Sequence, residues 1–311
     1  MTIVITSCTN RKKGLVHPGL NQSELRPGSI DSVANQWIRK LKKANVRVPA
    51  REVYCGRGFR EAEATSQYLS CPLFVVSAGL GIINSDIAAP IYDLSVSSSS
   101  GDSVLTKISG KISPRVWWSH ISSNNPFGTS LNTLLSNHPD GLILIALSRT
   151  YLDLVQEELA QCPPSQQSRL RFFGKILPST LPSHLINNWM PYDDRLDGIG
   201  REFGGTQADF AQRALRHFAS KVLGKSGGAD IKKHRAMVLK ALSHVTPRER
   251  PNRQRLTDPQ ISKTIRKNWK KGKGQSNLLL RIIRDDLNIA CEQKRFTKIY
   301  YSVKAELGDT A

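Results

Sequence analysis

The chain has no apolar run near the roughly 20 residues that a membrane-spanning helix requires, so a helical membrane protein is excluded. It is poor in cysteine, with five in 311 residues. Cys8, Cys55, Cys71, Cys162 and Cys291 are odd in number and widely scattered. None forms a CxxC pair or sits with histidines at zinc-ligand spacing, which excludes a disulfide-framed module and a zinc finger. Reduced thiols in the cytoplasm are expected. The opening MTIVITSCTNRKK carries its charges after a short apolar run, the reverse of a signal peptide. Neither end carries a lipidation motif. A three-glycine dinucleotide fingerprint is missing. Gly224-Lys225-Ser226 has the ending of a phosphate loop, but Ala219 stands where the first glycine belongs, and a helix precedes it. The one GxSxG match, GKSGG at 224–228, lacks the strand–turn–helix context of a nucleophile elbow. His17, His120, His138 and His217 stand isolated. No metal site and no cofactor is expected.

Acidic residues are also scarce. Asp and Glu total 25 against 45 Lys and Arg, giving a net charge of +20 and a pI near 10.0. Hydrophobic residues make up 39%, an ordinary value for a folded protein, so the charge does not mean disorder. The imbalance is uneven. Residues 221–311 hold 22 basic and 8 acidic residues, a net of +14, against 23 and 17, a net of +6, in residues 1–220. A segment so biased meets a polyanion, and nucleic acid is the commonest one. An anionic membrane would call for a basic amphipathic helix with a clear apolar face.

Residues 1–220 alternate strand-like and helix-like runs. Strands are expected at Thr2–Thr6, Glu52–Tyr54, Leu73–Val76, Leu142–Ala146 and Arg171–Phe173. Helices are expected at Ser29–Lys43, Phe59–Leu69, Leu131–Ser136 and Tyr151–Leu159. In the first helix Ile30, Val33, Ala34, Trp37, Ile38 and Leu41 follow helical spacing. Apolar strands alternating with helices imply an α/β fold, an open parallel sheet covered on both faces. SVSSSSGDS (95–103) reads as a flexible loop or lid. Gly204–Ser220 reads as an amphipathic helix, with Thr206 as N-cap and Asp209 in a capping box. The glycine-rich GKSGGAD (224–230) is the expected linker between an α/β domain, 1–223, and a basic helical domain, 231–311. Helices at Ile231–Val245, Asp258–Trp269 and Ser276–Gln293 then resemble a helix-turn-helix or winged-helix module. In the last of them Leu279, Ile282, Ile283, Leu287 and Ala290 form the expected buried stripe.

In an open parallel sheet, ligands bind outside the carboxyl ends of the strands. Those ends carry Ser7, Cys8 and Asn10, then Arg57, then Ser77 and Gly79, then Tyr92 and Asp93, then Ser148 and Arg149. Small and polar residues there suit close approach to a ligand. Asp93 follows an aromatic residue at the crevice, where a carboxylate stabilises a sugar oxocarbenium ion or activates water, and its other reading is a turn aspartate capping the Ser95 segment. Tyr92 is placed to stack on a flipped base. Asp193, Asp194 and Asp197 in PYDDRLDG read as a solvated turn rather than a metal site. In the C-terminal part Lys263, Arg266, Lys267, Lys270, Lys271 and Lys273 surround the turn before the last helix, which carries Arg281 and Arg284. Such charges bind phosphates in a salt-dependent way.

The run LFVVSAGLGIINSDIAAPIYDLS (73–95), with SCTNRK (7–12) before it and DFAQRALRHF (209–218) after it, resembles a bacterial family. That family is similar to the accessory domain of archaeal tRNA-guanine transglycosylases and to the uracil-DNA glycosylase fold. Within it, the chain most resembles the antiviral DNA glycosylases, which remove modified bases from phage DNA. The resemblance spans about residues 1–220. It implies a monofunctional glycosylase acting on double-stranded phage DNA, with glucosylated hydroxymethylcytosine as one candidate base. The signature GQDPYH is absent, so no catalytic residue carries over and Asp93 is assigned from its position. Two alternatives stand beside it: a tRNA base-modifying enzyme, and a non-catalytic DNA-binding nucleotide sensor. No membrane and no obligate protein partner is implied.

Overall fold

The computed structural model describes residues 1–9, 11–45, 48–97, 101–177, 179–226, 230–247 and 252–308. The chain divides into two compact units, Met1–Arg248 and Glu249–Ala311.

The first unit is built on a five-stranded, mostly parallel sheet. β1 (Ile3–Ser7), β2 (Leu73–Ser77), β3 (Gly81–Asn84), β4 (Ile143–Ala146) and β5 (Leu170–Phe172) lie in the order β3-β2-β1-β4-β5. β1 is central and pairs in parallel with β2 and β4. β2 and β4 are buried along their whole length, which is why they read as nearly continuous apolar runs rather than alternating ones, and β5 buries Arg171 between Leu170 and Phe172. The chain first adds β2 on one side of β1 and later adds β4 on the other. The direction of winding therefore reverses at β1, and the crevice of such a sheet opens between the carboxyl ends of β1 and β4.

The helices α1 (Ile30–Lys43), α2 (Arg57–Tyr68), α3 (Arg149–Leu154), α4 (Phe210–His217) and α5 (Ile231–Leu242) belong to this unit. Ser29 caps α1 by accepting from Ser32 N, and Val33, Ala34, Trp37, Ile38 and Leu41 form its buried face. α2 and α4 pack on each other, α2 also against β1 and α4 against β4. Thr206 and Asp209 form the expected capping box ahead of α4. Beyond α4 the chain continues as a π-helical stretch, Phe218–Leu223.

Two expectations in this unit are corrected. Glu52–Tyr54 is not a strand: Ala50–Val53 forms one helical turn, started by Pro49 and burying Ala50 and Val53. Three apolar-patterned residues fit either period, so the run carried no real strand signal. The sheet also gains β3, which pairs antiparallel with β2 after a reversal at Ala78-Gly79-Leu80. Gly81 takes φ 71° at that reversal, a conformation glycine adopts without penalty.

The domain boundary moves as well. Residues 224–226 continue as helix, and 227–229 lie outside the described residues. α5 follows, with Asp230 as N-cap, and it packs into the first unit's core. Arg171 Nε donates to His234 Nδ1 at 2.9 Å, Phe218 meets the His234 ring edge-on at 5.0 Å, and Val238 and Leu242 are fully buried. The glycines thus interrupt a unit instead of separating two.

The second unit has its own core of Ile261, Ile265, Leu279, Ile283, Phe296 and Val303. Its elements are β6 (Gln254–Arg255), α6 (Asp258–Asn268), α7 (Ser276–Arg281), β7 (Ile289–Ala290) and α8 (Gln293–Glu306). α7 runs on as a π-helical stretch, Ile282–Asp286. The expected single helix over Ser276–Gln293 therefore breaks in two. Asn288 takes φ 52°, Ile289–Ala290 pairs in parallel with Gln254–Arg255, and Glu292 caps α8 by accepting from Lys294 N and Arg295 N. Leu287, expected in the buried stripe, is 41% exposed, because it lies past the helical stretch.

A chain ending at residue 248 is expected to unfold in one cooperative transition at the midpoint of the first unit in the full chain. A chain ending at residue 223 uncovers Arg171 and Phe218 and is expected to lose several kcal/mol, on the scale of core truncations of about 2–5 kcal/mol each. Urea unfolding of the two shortened chains checks this.

Candidate functional site

At the carboxyl ends of β1 and β2 a set of hydroxyls and one thiol is buried together. Leu80 N donates to Ser77 Oγ at 3.0 Å. Ser77 Oγ and the Tyr92 hydroxyl are hydrogen-bonded at 2.6 Å, and the Tyr92 hydroxyl donates to Cys8 Sγ at 3.7 Å. Cys8 Sγ also meets the Tyr151 hydroxyl at 2.8 Å. The last contact joins the end of β1 to α3, spanning the crevice where the winding reverses. Tyr54 completes the cluster. Burial, then the neighbouring Cys8, pushes the hydroxyls of Tyr54, Tyr92 and Tyr151 upward in pKa. They remain protonated.

Tyr92 holds this arrangement in place. Its ring meets Trp37 edge-on at 6.0 Å and lies flush against Gly79, where a Cβ would come within 2.8 Å of Tyr92 Cε2. Trp37 Nε1 in turn donates to Gly79 O at 2.8 Å. Lys12 Nζ stands 4.3 Å from the ring centroid on another side, a cation–π contact.

Asp93, next in the chain, is fixed by its backbone: Asp93 N donates to Leu20 O at 2.9 Å and Gln22 N donates to Asp93 O at 2.8 Å. Its side chain is half-buried. The carboxyl pKa is raised above its ordinary value by burial first, then by the charge of Asp102 and by a side-chain hydrogen bond with it, while Lys12 pulls the other way. Asp102 reaches this position because Ser95 N donates to Asp102 O at 2.9 Å and Val104 N donates to Ser95 O at 2.8 Å. Asp93 and Asp102 thus lie near enough for one carboxyl to disfavour ionisation of the other. Asp102 also contributes, after burial and the nearer groups, to raising the Tyr151 hydroxyl.

The expected site residues do not stay together. Cys8, Ser77, Gly79, Tyr92 and Asp93 converge here, though not all in the expected role. Tyr92 is 1% exposed and packed in the core, so it cannot stack on a flipped base. Ser77 and Gly79 lie beneath the site as support. Ser7 is half-buried at the end of β1, and Asn10 lies outside the described residues. Arg57 is drawn elsewhere: its guanidinium donates to Gly204 O and faces Glu61 and Asp209. That ties α2 to the segment before α4 and satisfies the charge assigned to a base or phosphate. Ser148 and Arg149 are exposed and line a cavity of about 380 Å³ outside β4 and β5, with Lys175, Trp189, Gln207 and Phe210.

Lys12, Asp102 and Tyr54 carried no signal as site residues, and Tyr151 followed Ser148 and Arg149 past β4 with no role assigned. Asp102 sits at the far end of the serine-rich stretch and Lys12 among surface-like charges. Only the pairing of Ser95 with residues 102–104, and the Tyr92 ring under Lys12, bring them in. The PYDDRLDG carboxylates each face a cation: Asp193 pairs with Arg195, Asp194 with Lys175 and Asp197 with Arg213. Among the described residues, no group of three or more His, Cys, Asp or Glu side chains is placed to hold a metal ion, and no helix is long and apolar enough to cross a membrane.

In the second unit the basic residues also divide. Arg266 pairs with Glu306, and Lys271 with Asp286 at 2.9 Å. Arg284 is a structural anchor rather than a free charge, donating from Nε and Nη2 to Cys291 O at 2.9 and 2.7 Å. Lys263, Lys267, Lys270, Lys273 and Arg281 are exposed and have no partner among the described residues. Lys263, Lys267 and Lys270 follow i, i+4, i+7 spacing along α6 and its end, on one face. That face lies opposite the buried Ile261 and Ile265.

No family model, curated protein or solved structure matches this chain.

Gly79→Ala is expected to destabilise the first unit by about 1–3 kcal/mol, because the rigid Tyr92 and Trp37 rings cannot both retreat from an added methyl. Chemical unfolding measures the loss, and an unchanged midpoint would show that Tyr92 is not wedged as described.

Proposed function

We propose that the first unit is a DNA glycosylase that excises a modified base from phage DNA in antiviral defence and leaves an abasic site. The observation that carries this reading is the Asp93–Asp102 carboxyl pair at the carboxyl edge of the sheet, next to the point where the winding reverses. Cleavage of an N-glycosidic bond builds positive charge on the sugar and negative charge on the departing base. A pair that shares one proton serves both: the ionised oxygen faces the sugar or orients water, and the proton goes to the base. The chemistry runs without a metal or cofactor.

In this reading the target nucleotide leaves the duplex, because a stacked base is out of reach of side chains at a sheet edge. Ser7 approaches it from the end of β1, and Ser148 and Arg149 from the mouth of the cavity beside β4. At about 380 Å³, that cavity falls within the roughly 300–1,000 Å³ of small-molecule sites. The second unit holds the duplex through Lys263, Lys267, Lys270, Lys273 and Arg281, five cations with no acidic partner among the described residues. α6 and α7 serve as the helix pair of a helix-turn-helix. Cytoplasmic location fits five free cysteines kept reduced.

The test is incubation of purified protein with unmodified DNA and with modified phage DNA, followed by mass spectrometry of released bases and labelling of abasic sites. Modified base with matching abasic sites is expected from the phage DNA only. Asp93→Asn is expected to slow release by a factor of about 100 or more with DNA binding retained. Binding of both DNAs without any release would refute the glycosylase and favour a sensor, or an enzyme acting on RNA.

A further inference from the structure

We infer that Lys12 gives this site a second activity, a lyase step in which its ε-amino group bonds to C1′ of the abasic sugar and the DNA strand is cut. The inference rests on the reading of the site as one that receives a deoxyribose, and goes beyond base release.

Lys12 is a surface-type residue held in a site. Its backbone forms an antiparallel bridge with Tyr54, and the next amide, Lys13 N, donates to Val53 O at 2.9 Å. The loop after β1 is therefore pinned at the base of the side chain. At the other end, Nζ stands 4.3 Å from the centroid of the Tyr92 ring, while the neighbouring Arg11 and Lys13 are exposed. A long flexible side chain is thus fixed at both ends and directed at the carboxyl edge. There its charge acts on Asp93, the group the reaction places beside the sugar. A primary amine, a carboxyl that faces C1′ and a second carboxyl that shares its proton are the parts imine chemistry needs.

The step balances with these groups alone. Base release leaves a sugar whose C1′ opens to an aldehyde. The Lys12 ammonium gives a proton to the Asp93–Asp102 pair, the freed amine adds to the aldehyde, the pair returns a proton to the C1′ oxygen, and water leaves to give an iminium. That cation acidifies C2′. Loss of a C2′ proton to a carboxylate forms the C2′–C3′ double bond and breaks the C3′–O bond, expelling the 3′ phosphate with its strand. Water then hydrolyses the imine, releasing an unsaturated sugar aldehyde and restoring the amine. No oxidant or reductant takes part.

The experiment uses the full chain and a duplex carrying one ready-made abasic site, treated with borohydride to reduce any imine to a stable amine. The result expected is a protein–DNA adduct whose cross-linked peptide maps to Lys12, together with strand cleavage when borohydride is left out. Lys12→Arg keeps a cation over the Tyr92 ring but cannot form the imine, and is expected to abolish adduct and cleavage alike; Lys13→Ala is expected to retain both. No adduct, an adduct undiminished in Lys12→Arg, or one mapped to another amine overturns the proposal. The abasic site is supplied ready-made, so the two readings fail separately. Base release without the adduct removes the lyase alone, and a Lys12 adduct without base release upholds the lyase and removes the glycosylase.

Discussion

The burial of Tyr92 is the constraint on which the site depends. Its ring fills the space between Trp37 and the bare Cα of Gly79, and its hydroxyl bridges Ser77 and Cys8 at the ends of β2 and β1. A tyrosine so fixed leaves its neighbour no freedom, so Asp93 emerges at the carboxyl edge whatever else moves. The other face of the ring supplies the platform for Lys12. One side chain therefore sets the positions of an acid and an amine, and through Cys8 and Tyr151 connects them to α3. The residue expected to touch substrate acts instead as the post that holds those which do.

Much of the sheet was legible because buried parallel strands announce themselves. IVIT, LFVV and ILIA are apolar on both faces, and no amphipathic helix reads that way. The capping box at Thr206 and Asp209 was legible for a local reason, since both partners lie within one turn. The failures are equally physical. β3 follows a reversal of three small or apolar residues, with no Asn-Gly or Pro to mark it. Glu52–Tyr54 was too short for its period to mean anything. The glycine-rich stretch at 224–230 looked like a boundary because composition reports local stiffness, whereas α5 belongs to the first unit through Arg171, Phe218 and two buried aliphatics, contacts made across some 60 residues of chain in the case of Arg171 and His234.

The site shows the same division between local and distant causes. Asp93 was visible as a scarce carboxylate beside an aromatic residue. Asp102 was not, since its approach to Asp93 depends on Ser95 pairing with residues across a serine-rich stretch. Charges divide likewise. Composition singled out the C-terminal part as cationic, but not which cations stay available: Arg284 supports a carbonyl, Arg266 and Lys271 face acids, and Lys263, Lys267 and Lys270 share an open face of α6. The catalytic proposal thus belongs to the first unit, which has a tightly packed edge and a net charge of +12 spread over residues 1–248. The polyanion contact belongs to the second unit, whose +8 is concentrated in residues 249–311 and includes the open cations of α6 and the turn after it.

The pairing of Asp93 with Asp102 is the centre of this picture, and a carboxyl titration measures it directly. With aspartate side-chain carbons labelled, NMR follows each carboxyl through the acid range in the natural protein and in Asp102→Asn. Asp93 is expected to titrate above the ordinary aspartate range and to fall part of the way back in the variant, the remainder reflecting burial. Identical Asp93 titrations in the two proteins would contradict the shared proton and, with it, the division of acid and base roles between the two carboxyls.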